Sequence, residues 1–204
     1  MKHKRKAEHY FVGQPQSKLN LGLIRVHLRG GVFEFLTSSS VFSKKRVDAG
    51  TRLLVESMIL PKEGCMLDLG CGYGPVGIVA AASQPNLRVF LVDVNKRAVW
   101  LAKQNAKRNN VGTIKVLRGF LYEPVEALEF DIIVCNPPVS AGMHTVCQIV
   151  TGAPKYLKSH GSLQLVARTN TGGKSIQRML EEAFGNIETL AKKGGYRVLL
   201  SKKP

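Results

Sequence analysis

The segment Asp68-Leu69-Gly70-Cys71-Gly72-Tyr73-Gly74-Pro75-Val76-Gly77 constrains the fold more than any other stretch of the chain. An apolar run at 65–69 feeds straight into it, and Gly72, Gly74 and Gly77 satisfy G-x-G-x-x-G. Glycines at that spacing let the backbone turn sharply and approach a ligand with no Cβ in the way. A strand, a glycine turn and a helix opening at Pro75 form the entry unit of a parallel α/β sheet. Asp93 follows 21 residues after Gly72, at the end of the next apolar run, where a ribose-binding carboxylate belongs.

Short apolar runs at 88–93, 114–117, 130–135 and 162–167 alternate with helix-like segments at 75–83, 96–108, 145–157 and 174–184. The alternation predicts a doubly wound, mostly parallel, seven-stranded Rossmann-like α/β sheet. Its end breaks the pattern. Residues 187–191 and 196–201 flank Lys192-Lys193-Gly194-Gly195, a glycine-containing loop that predicts an antiparallel hairpin. Ahead of the core, Ile24, Val26 and Leu28 alternate with Arg25, His27 and Arg29, then Gly30-Gly31 turns the chain toward Phe33 and Phe35. That alternation predicts a second hairpin. Asp48 then caps a helix carrying Leu53, Leu54 and Met58 and closed by Pro61. The expected organisation is a small α+β extension, residues 1–60, packed on a core at 61–204. A chain of 204 residues can bury such a core without disulfides or metals. Cys65, Cys71, Cys135 and Cys147 form no C-x-x-C pair and have no histidines at zinc spacing, so no metal is expected.

Two ligand classes share the physics of this glycine turn. A dinucleotide would lay its pyrophosphate there, but Asp68, at the strand tip, would repel it. The same carboxylate suits a ligand that offers a cationic amino group, as S-adenosylmethionine does. A role for Asp68 in capping the loop through backbone N–H bonds is compatible with either ligand.

Residues 130–135 end in Asn136-Pro137-Pro138, at the carboxyl edge of the fourth core strand, where open α/β sheets bind ligands. Two prolines remove two N–H donors and stiffen the turn, so the peptide carbonyls are expected to face a ligand instead of folding back. An exocyclic amine of guanine or adenine, or a carboxamide, has a delocalised lone pair and attacks poorly. Asn136 Oδ1 and the Pro137 carbonyl, each accepting one N–H, would let that nitrogen pyramidalise toward a sulfonium methyl. Such bonds strengthen as the nitrogen becomes positive, so they favour the transition state and need no metal or strong base. An isolated Asn-Pro-Pro reads better as a rigid strand-to-helix turn; its place one strand from an Asp-led glycine loop selects the chemical reading.

These residues resemble the class I S-adenosylmethionine-dependent methyltransferases over 65–201, and the antiparallel end of the sheet fits that class. A narrower likeness covers nearly the whole chain. His9-Tyr10-Phe11, Phe35-Leu36-Thr37, Val41-Phe42-Ser43, Asp48-Ala49-Gly50-Thr51, residues 136–142 and Gly194-Gly195-Tyr196 resemble small-domain methyltransferases related to those that methylate guanine N2 in small-subunit ribosomal RNA. The resemblance implies that Asp68 meets the methionine ammonium, that Gly70, Cys71, Gly72 and Gly74 line the donor, and that Asp93 holds the ribose hydroxyls. It further implies that Asn136, Pro137 and Pro138 form the catalytic turn, with Asn136 bordering the donor, and that Phe42 walls the substrate pocket; Val139, next to that turn, and Lys174, in the basic stretch, are expected to contact substrate as well. Two positions depart from the pattern. Where such enzymes often bond the adenine amine with Asp or Asn, this chain has Arg118-Gly119-Phe120-Leu121, so Phe120 or Leu121 must hold the adenine by packing. Position 139 is Val where an aromatic often stands, so a ring stacking on a flipped base must come from Phe42 or Tyr10.

Charge identifies the partner class. The chain carries 30 Lys and Arg against 14 Asp and Glu, a net +16, and such a surface attracts polyanions by counterion release. No acidic residue occurs from 132 to 180, while Lys155, Lys158, Arg168, Lys174 and Arg178 do. The expected partner is RNA, ribosomal or within a pre-ribosomal particle, and a monomer is compatible with that. Lys2, Lys4, Arg5 and Lys6 form a basic tail. Trp100 shares a helix face with Lys96, Lys103 and Lys107, and the preferred reading has its ring covering a neighbouring element. His144 is left out of the catalytic set. No apolar run approaches the roughly 18 residues of a membrane span, and no secretory leader is recognisable, so a cytoplasmic protein acting in rRNA processing is expected. A glutamine N5-methyltransferase acting on a translation factor and a nucleic-acid adenine N6-methyltransferase would use the same turn. The charge disfavours the first, and the lack of a target-recognition domain disfavours the second. A noncatalytic RNA-binding module is disfavoured by the intact Asp68, Asp93 and Asn136, and a nicotinamide oxidoreductase by Asp68.

Overall fold

The protein is described by a computed structural model over residues 20–38, 46–139 and 142–204. The expectations placed on Tyr10, on Phe42 and on the basic tail lie outside the described residues.

Strand β3 (Glu63–Leu69) is the centre of a seven-stranded sheet, because its Cys65 to Leu69 stretch is buried on both faces. It pairs in parallel with β4 (Asn86–Asp93) on one side and β6 (Phe130–Cys135) on the other. Four further strands, β5 (Ile114–Arg118), β7 (Leu157–Arg168), β8 (Glu188–Lys193) and β9 (Tyr196–Lys202), complete the order β5-β4-β3-β6-β7-β9-β8. Strand β9 inserts antiparallel between β7 and β8. This is the Rossmann-like sheet with an antiparallel end that the alternation predicts.

Helices α1 (Ala49–Ser57), α2 (Pro75–Ser83) and α3 (Lys96–Arg108) serve one face of the sheet, and α4 (Met143–Tyr156) and α5 (Lys174–Phe184) the other. Helix α2 is apolar all round, with residues 75–81 buried, and so sits between the sheet and its helical neighbours. Strands β1 (Leu21–Leu28) and β2 (Gly31–Ser38) form a separate hairpin. Its Leu28 and Phe35 share one apolar cluster with Leu54 and Met58 of α1 and with Ile78 and Leu91 of the core.

Three local outcomes differ from expectation. The first hairpin turns at Arg29-Gly30, not Gly30-Gly31, with φ of 46° and 79°. Arg29 accepts that conformation while capping α1, its guanidinium donating to the carbonyls of Val55 at 2.9 Å and Met58 at 2.8 Å. The terminal loop shrinks to Gly194-Gly195, with φ of 57° and 79°, because those glycines alone supply a two-residue hairpin turn and Lys192 and Lys193 stay in strand. Strand β7 starts at Leu157, where its pairing with β6 slips between Phe130 and Ile132. Trp100 is 40% exposed.

Candidate active site

Strands β3, β4 and β6 end level, since Leu69 pairs with both Val92 and Cys135. Gly70, Asp93 and Asn136 therefore emerge at one edge of the sheet, where its order reverses around β3. A cleft of about 1060 Å³, counting its open mouth, lies there.

Its floor is the glycine loop. Gly70 and Cys71 donate to the Val92 carbonyl at 2.9 and 3.1 Å, and Gly72 donates to Asp93 Oδ2 at 2.9 Å. Gly70 and Gly72 have φ of 69° and 57°, and a Cβ at either would meet no protein atom within 4 Å, so both leave bare backbone facing the cleft. Gly74 is different. It is the N-cap of α2, is not a wall of the cleft, and a Cβ there would come within 2.9 Å of Ile78.

Asp68 is only 2% exposed, and its Oδ2 accepts the Gly77 N–H at 2.9 Å, so the loop-capping role is present. Burial pushes its carboxyl up to about 7, opposed by the Gly77 N–H and assisted by the charge of Asp93. Burial raises Asp93 as well, against the N–H groups of Asn95 and Gly72 that bind its two oxygens. Among the described residues neither carboxylate has an ion-pair partner. A buried Asp68 carboxylate that no cation among the described residues pairs suits a ligand bearing an ammonium and repels a pyrophosphate, and Asp93 suits the hydroxyls of a ribose. The donor set therefore fits S-adenosylmethionine. Cys71 and Cys135, also buried here, have thiols pushed well above their ordinary range by burial and then by the two carboxylates, which makes them poor nucleophiles.

Gly119, Phe120 and Leu121 form a further wall. Phe120 is 40% exposed, and its own N–H is taken by Glu123 Oε2 at 3.2 Å. Its ring is available for packing.

Asn136, Pro137 and Pro138 stand across the cleft from this wall's loop, together with Asp48 and Thr51 of the α1 start. Asn136 Nδ2 donates to Thr51 Oγ1 at 2.8 Å and lies 3.4 Å from Asp48 Oδ2. Thr51 Oγ1 in turn donates to Asp48 Oδ2. No hydrogen bond to Asn136 Oδ1 occurs among the described residues. The Pro137 carbonyl corrects an expectation: it accepts the Val139 N–H at 2.9 Å, so it folds back in a three-residue turn, because Val139 retains the donor that the prolines lack. One lone pair of that carbonyl remains.

The structure does not bring Val139 or Lys174 to the cleft wall. Val139 is half-buried against the α4–α5 cluster, and Lys174 opens α5 beside Gln177 and Arg197 in a separate depression. Phe42 lies outside the described residues, and His144 is exposed. The sequence marks Asp48 as a helix cap only and carries no sign of Thr51 or Tyr73 at the cleft, although all three line it. Among the described residues no cluster of three His, Cys, Asp or Glu is placed to hold a metal, and no helix is long and apolar enough to cross a membrane.

A sheet of this order, with a cleft built for a sulfonium amino acid at its switch point, defines an S-adenosylmethionine-dependent methyltransferase. The chain belongs to the methyltransferase small domain family, which matches residues 32–200. It is 38% identical over 199 residues to the uncharacterized protein YbxB of Bacillus subtilis (strain 168), covering 97% of this chain and 99% of that one. It is 32% identical over 171 residues to ribosomal RNA small subunit methyltransferase C of Photorhabdus laumondii, covering 82% of this chain and 49% of that one. The solved structure of the T. thermophilus 16S rRNA N2 G1207 methyltransferase, in complex with AdoMet and guanosine, superposes with a TM-score of 0.82 at 28% identity, over 93% of this chain and 52% of that one. The chain thus spans about half the length of the ribosomal RNA methyltransferases it matches.

Proposed function

We propose that this methyltransferase acts on the N2 amine of a guanine in small-subunit ribosomal RNA, in the cytoplasm. The observation that carries the reading is the Asn136 side chain, whose amide nitrogen is engaged by Thr51 and Asp48 while its oxygen is left to accept from a target amine. The donor supplies an electrophilic methyl group when bound.

The chain's own residues do the rest. Asp68 receives the methionine ammonium, Asp93 the ribose hydroxyls, Gly70, Cys71 and Gly72 the backbone of the donor, and Phe120 and Leu121 its adenine. Asn136 Oδ1 and the free lone pair of the Pro137 carbonyl each accept one N–H of the amine, which directs the nitrogen lone pair at the methyl. Pro138 holds the turn rigid. Positive charge grows on the nitrogen during transfer, so both acceptors bind the transition state more strongly than the substrate. The methylated nitrogen is acidic and loses its proton to water without a dedicated base.

In this reading residues 1–60 supply one wall of the site through α1, and 61–204 hold the donor. The +16 charge holds RNA, with Lys174 on the phosphate backbone and Phe42 stacking on the base. Support for the substrate comes from the T. thermophilus relative, whose complex contains guanosine. The test is transfer of a tritiated methyl group to small ribosomal subunits, naked 16S RNA and total protein, followed by digestion to nucleosides. Label recovered as N2-methylguanosine is expected; label confined to protein would overturn the assignment.

A further inference from the structure

We propose that Asp48 and Thr51 are positioning residues that fix which way the Asn136 amide faces. The inference rests on the amine-holding reading of Asn136 and adds how that orientation is enforced.

An asparagine side chain is nearly symmetric in shape, and only its hydrogen-bond partners decide whether oxygen or NH₂ points at a ligand. Here the partners leave one solution. A carboxylate has no proton to give, so the bond between Thr51 Oγ1 and Asp48 Oδ2 must be donated by the Thr51 hydroxyl. That hydroxyl has then spent its only hydrogen, and toward Asn136 it can only accept. The atom 2.8 Å from it must be Nδ2, and the second acceptor, Asp48 Oδ2 at 3.4 Å, repels an amide oxygen from the same place. Oδ1 is forced to the opposite side, toward the target amine. With the amide reversed, NH₂ would meet NH₂, and neither could accept.

The carboxylate is itself held. Asp48 Oδ1 accepts the N–H groups of Gly50 at 2.9 Å and Thr51 at 3.2 Å, as the N-cap of α1. Gly50 packs tightly under Tyr196, where a Cβ would fall within 3.0 Å of the ring, which fixes the helix start against the sheet. The chain of consequence runs from the helix cap, through one hydroxyl, to the amide 85 residues further on.

The test uses Asp48→Asn, because asparagine is an equally good N-cap and keeps the shape while losing the obligatory acceptor. The Thr51 hydroxyl can then reverse and the Asn136 amide flip. Single-turnover methyl transfer to ribosomal RNA is expected to fall about a hundredfold, the scale of losing one preorganised transition-state hydrogen bond. The affinity for S-adenosylmethionine by calorimetry is expected to change less than about twofold. Thr51→Val should behave alike, and Thr51→Ser, which keeps the hydroxyl, should recover most of the loss. In an Asn136→Ala background Asp48→Asn should cost nothing further. A readout without turnover is the pair of Asn136 Nδ2 hydrogens in an amide NMR spectrum, assigned by their loss in Asn136→Ala and expected to shift in Asp48→Asn. Unchanged transfer in Asp48→Asn and Thr51→Val, or losses that simply add to that of Asn136→Ala, would overturn the positioning role while leaving Asn136 itself in place. Full activity of Asn136→Ala would instead remove the reading on which the inference rests.

Discussion

At the scale of single residues, Asp68 couples donor binding to pH. Its carboxyl stands at about 7 instead of 3.8, chiefly because burial penalises its charge. An ammonium binds the charged form, so below pH 7 binding must expel a proton and the Kd should rise up to about tenfold per unit of pH. The α-amino group of the ligand ordinarily titrates near 7.7–8.0, which weakens binding above about pH 8. Calorimetry over about pH 5.5 to 9 should therefore show tightest binding between about 7 and 8. Asp68→Asn should bind at least about tenfold more weakly at the optimum and lose the acid limb. The folding sign is the reverse. A carboxyl raised in the folded state favours folding at low pH, and that contribution is lost as the pH rises from about 4 through 7, where the native state holds the extra proton. Thermal melts without donor should thus show a falling stability over that window.

At the scale of elements, the hairpin is held by two asparagines. Helix α3 places Asn105 and Asn109 one turn apart, about 6 Å along the axis, which nearly matches two residues of β2. Asn105 accepts from the Leu36 N–H at 2.7 Å and donates to the Leu36 carbonyl at 3.0 Å, while Asn109 does the same for Glu34 at 3.1 and 2.8 Å. The pair imitates a neighbouring strand and covers the edge of β2. Asn105 Nδ2 also binds the Tyr73 carbonyl at 2.9 Å, tying the hairpin to the glycine loop. Asn105→Ala leaves those buried groups unpaired and should cost about 3 kcal/mol in urea denaturation, with Asn109→Ala costing about 1 kcal/mol. These bonds also mark the limit of what the sequence reveals. The central strands are legible because burial on both faces makes them continuously apolar, and Asp68 and Asp93 because their spacing from the glycines is fixed by local geometry. Asn105 carries no such mark, since a polar residue on a helix is ordinarily read as solvated. Likewise the cap at Asp48 is written in its immediate neighbours, while its bond to Asn136 depends on a fold that joins positions 88 apart. The turn at Arg29 is displaced from the glycine pair for the same reason: α1, distant in sequence, supplies the carbonyls that hold its guanidinium.

At the scale of the molecule, the net charge of +16 on the chain and the buried carboxylates of the cleft separate two kinds of affinity. RNA binding driven by counterion release weakens steeply with salt, whereas donor binding in a buried cleft is little screened. Raising monovalent salt from about 50 to 200 mM should lower the affinity for 16S RNA at least about tenfold and change that for S-adenosylmethionine less than about twofold; equal responses would contradict a polyanion surface. The N-terminal hairpin and α1 share one apolar cluster with the sheet, and the start of α1 sends Asp48 and Thr51 into a cleft whose other walls come from residues 68–149. The central claim is that Asn136 acts on the target amine and not on the donor. Single-turnover methyl transfer by Asn136→Ala, measured beside a calorimetric titration with S-adenosylmethionine, separates the two. The account expects transfer to fall about a hundredfold or more with donor affinity within about twofold of the parent; transfer at the parental rate would contradict it.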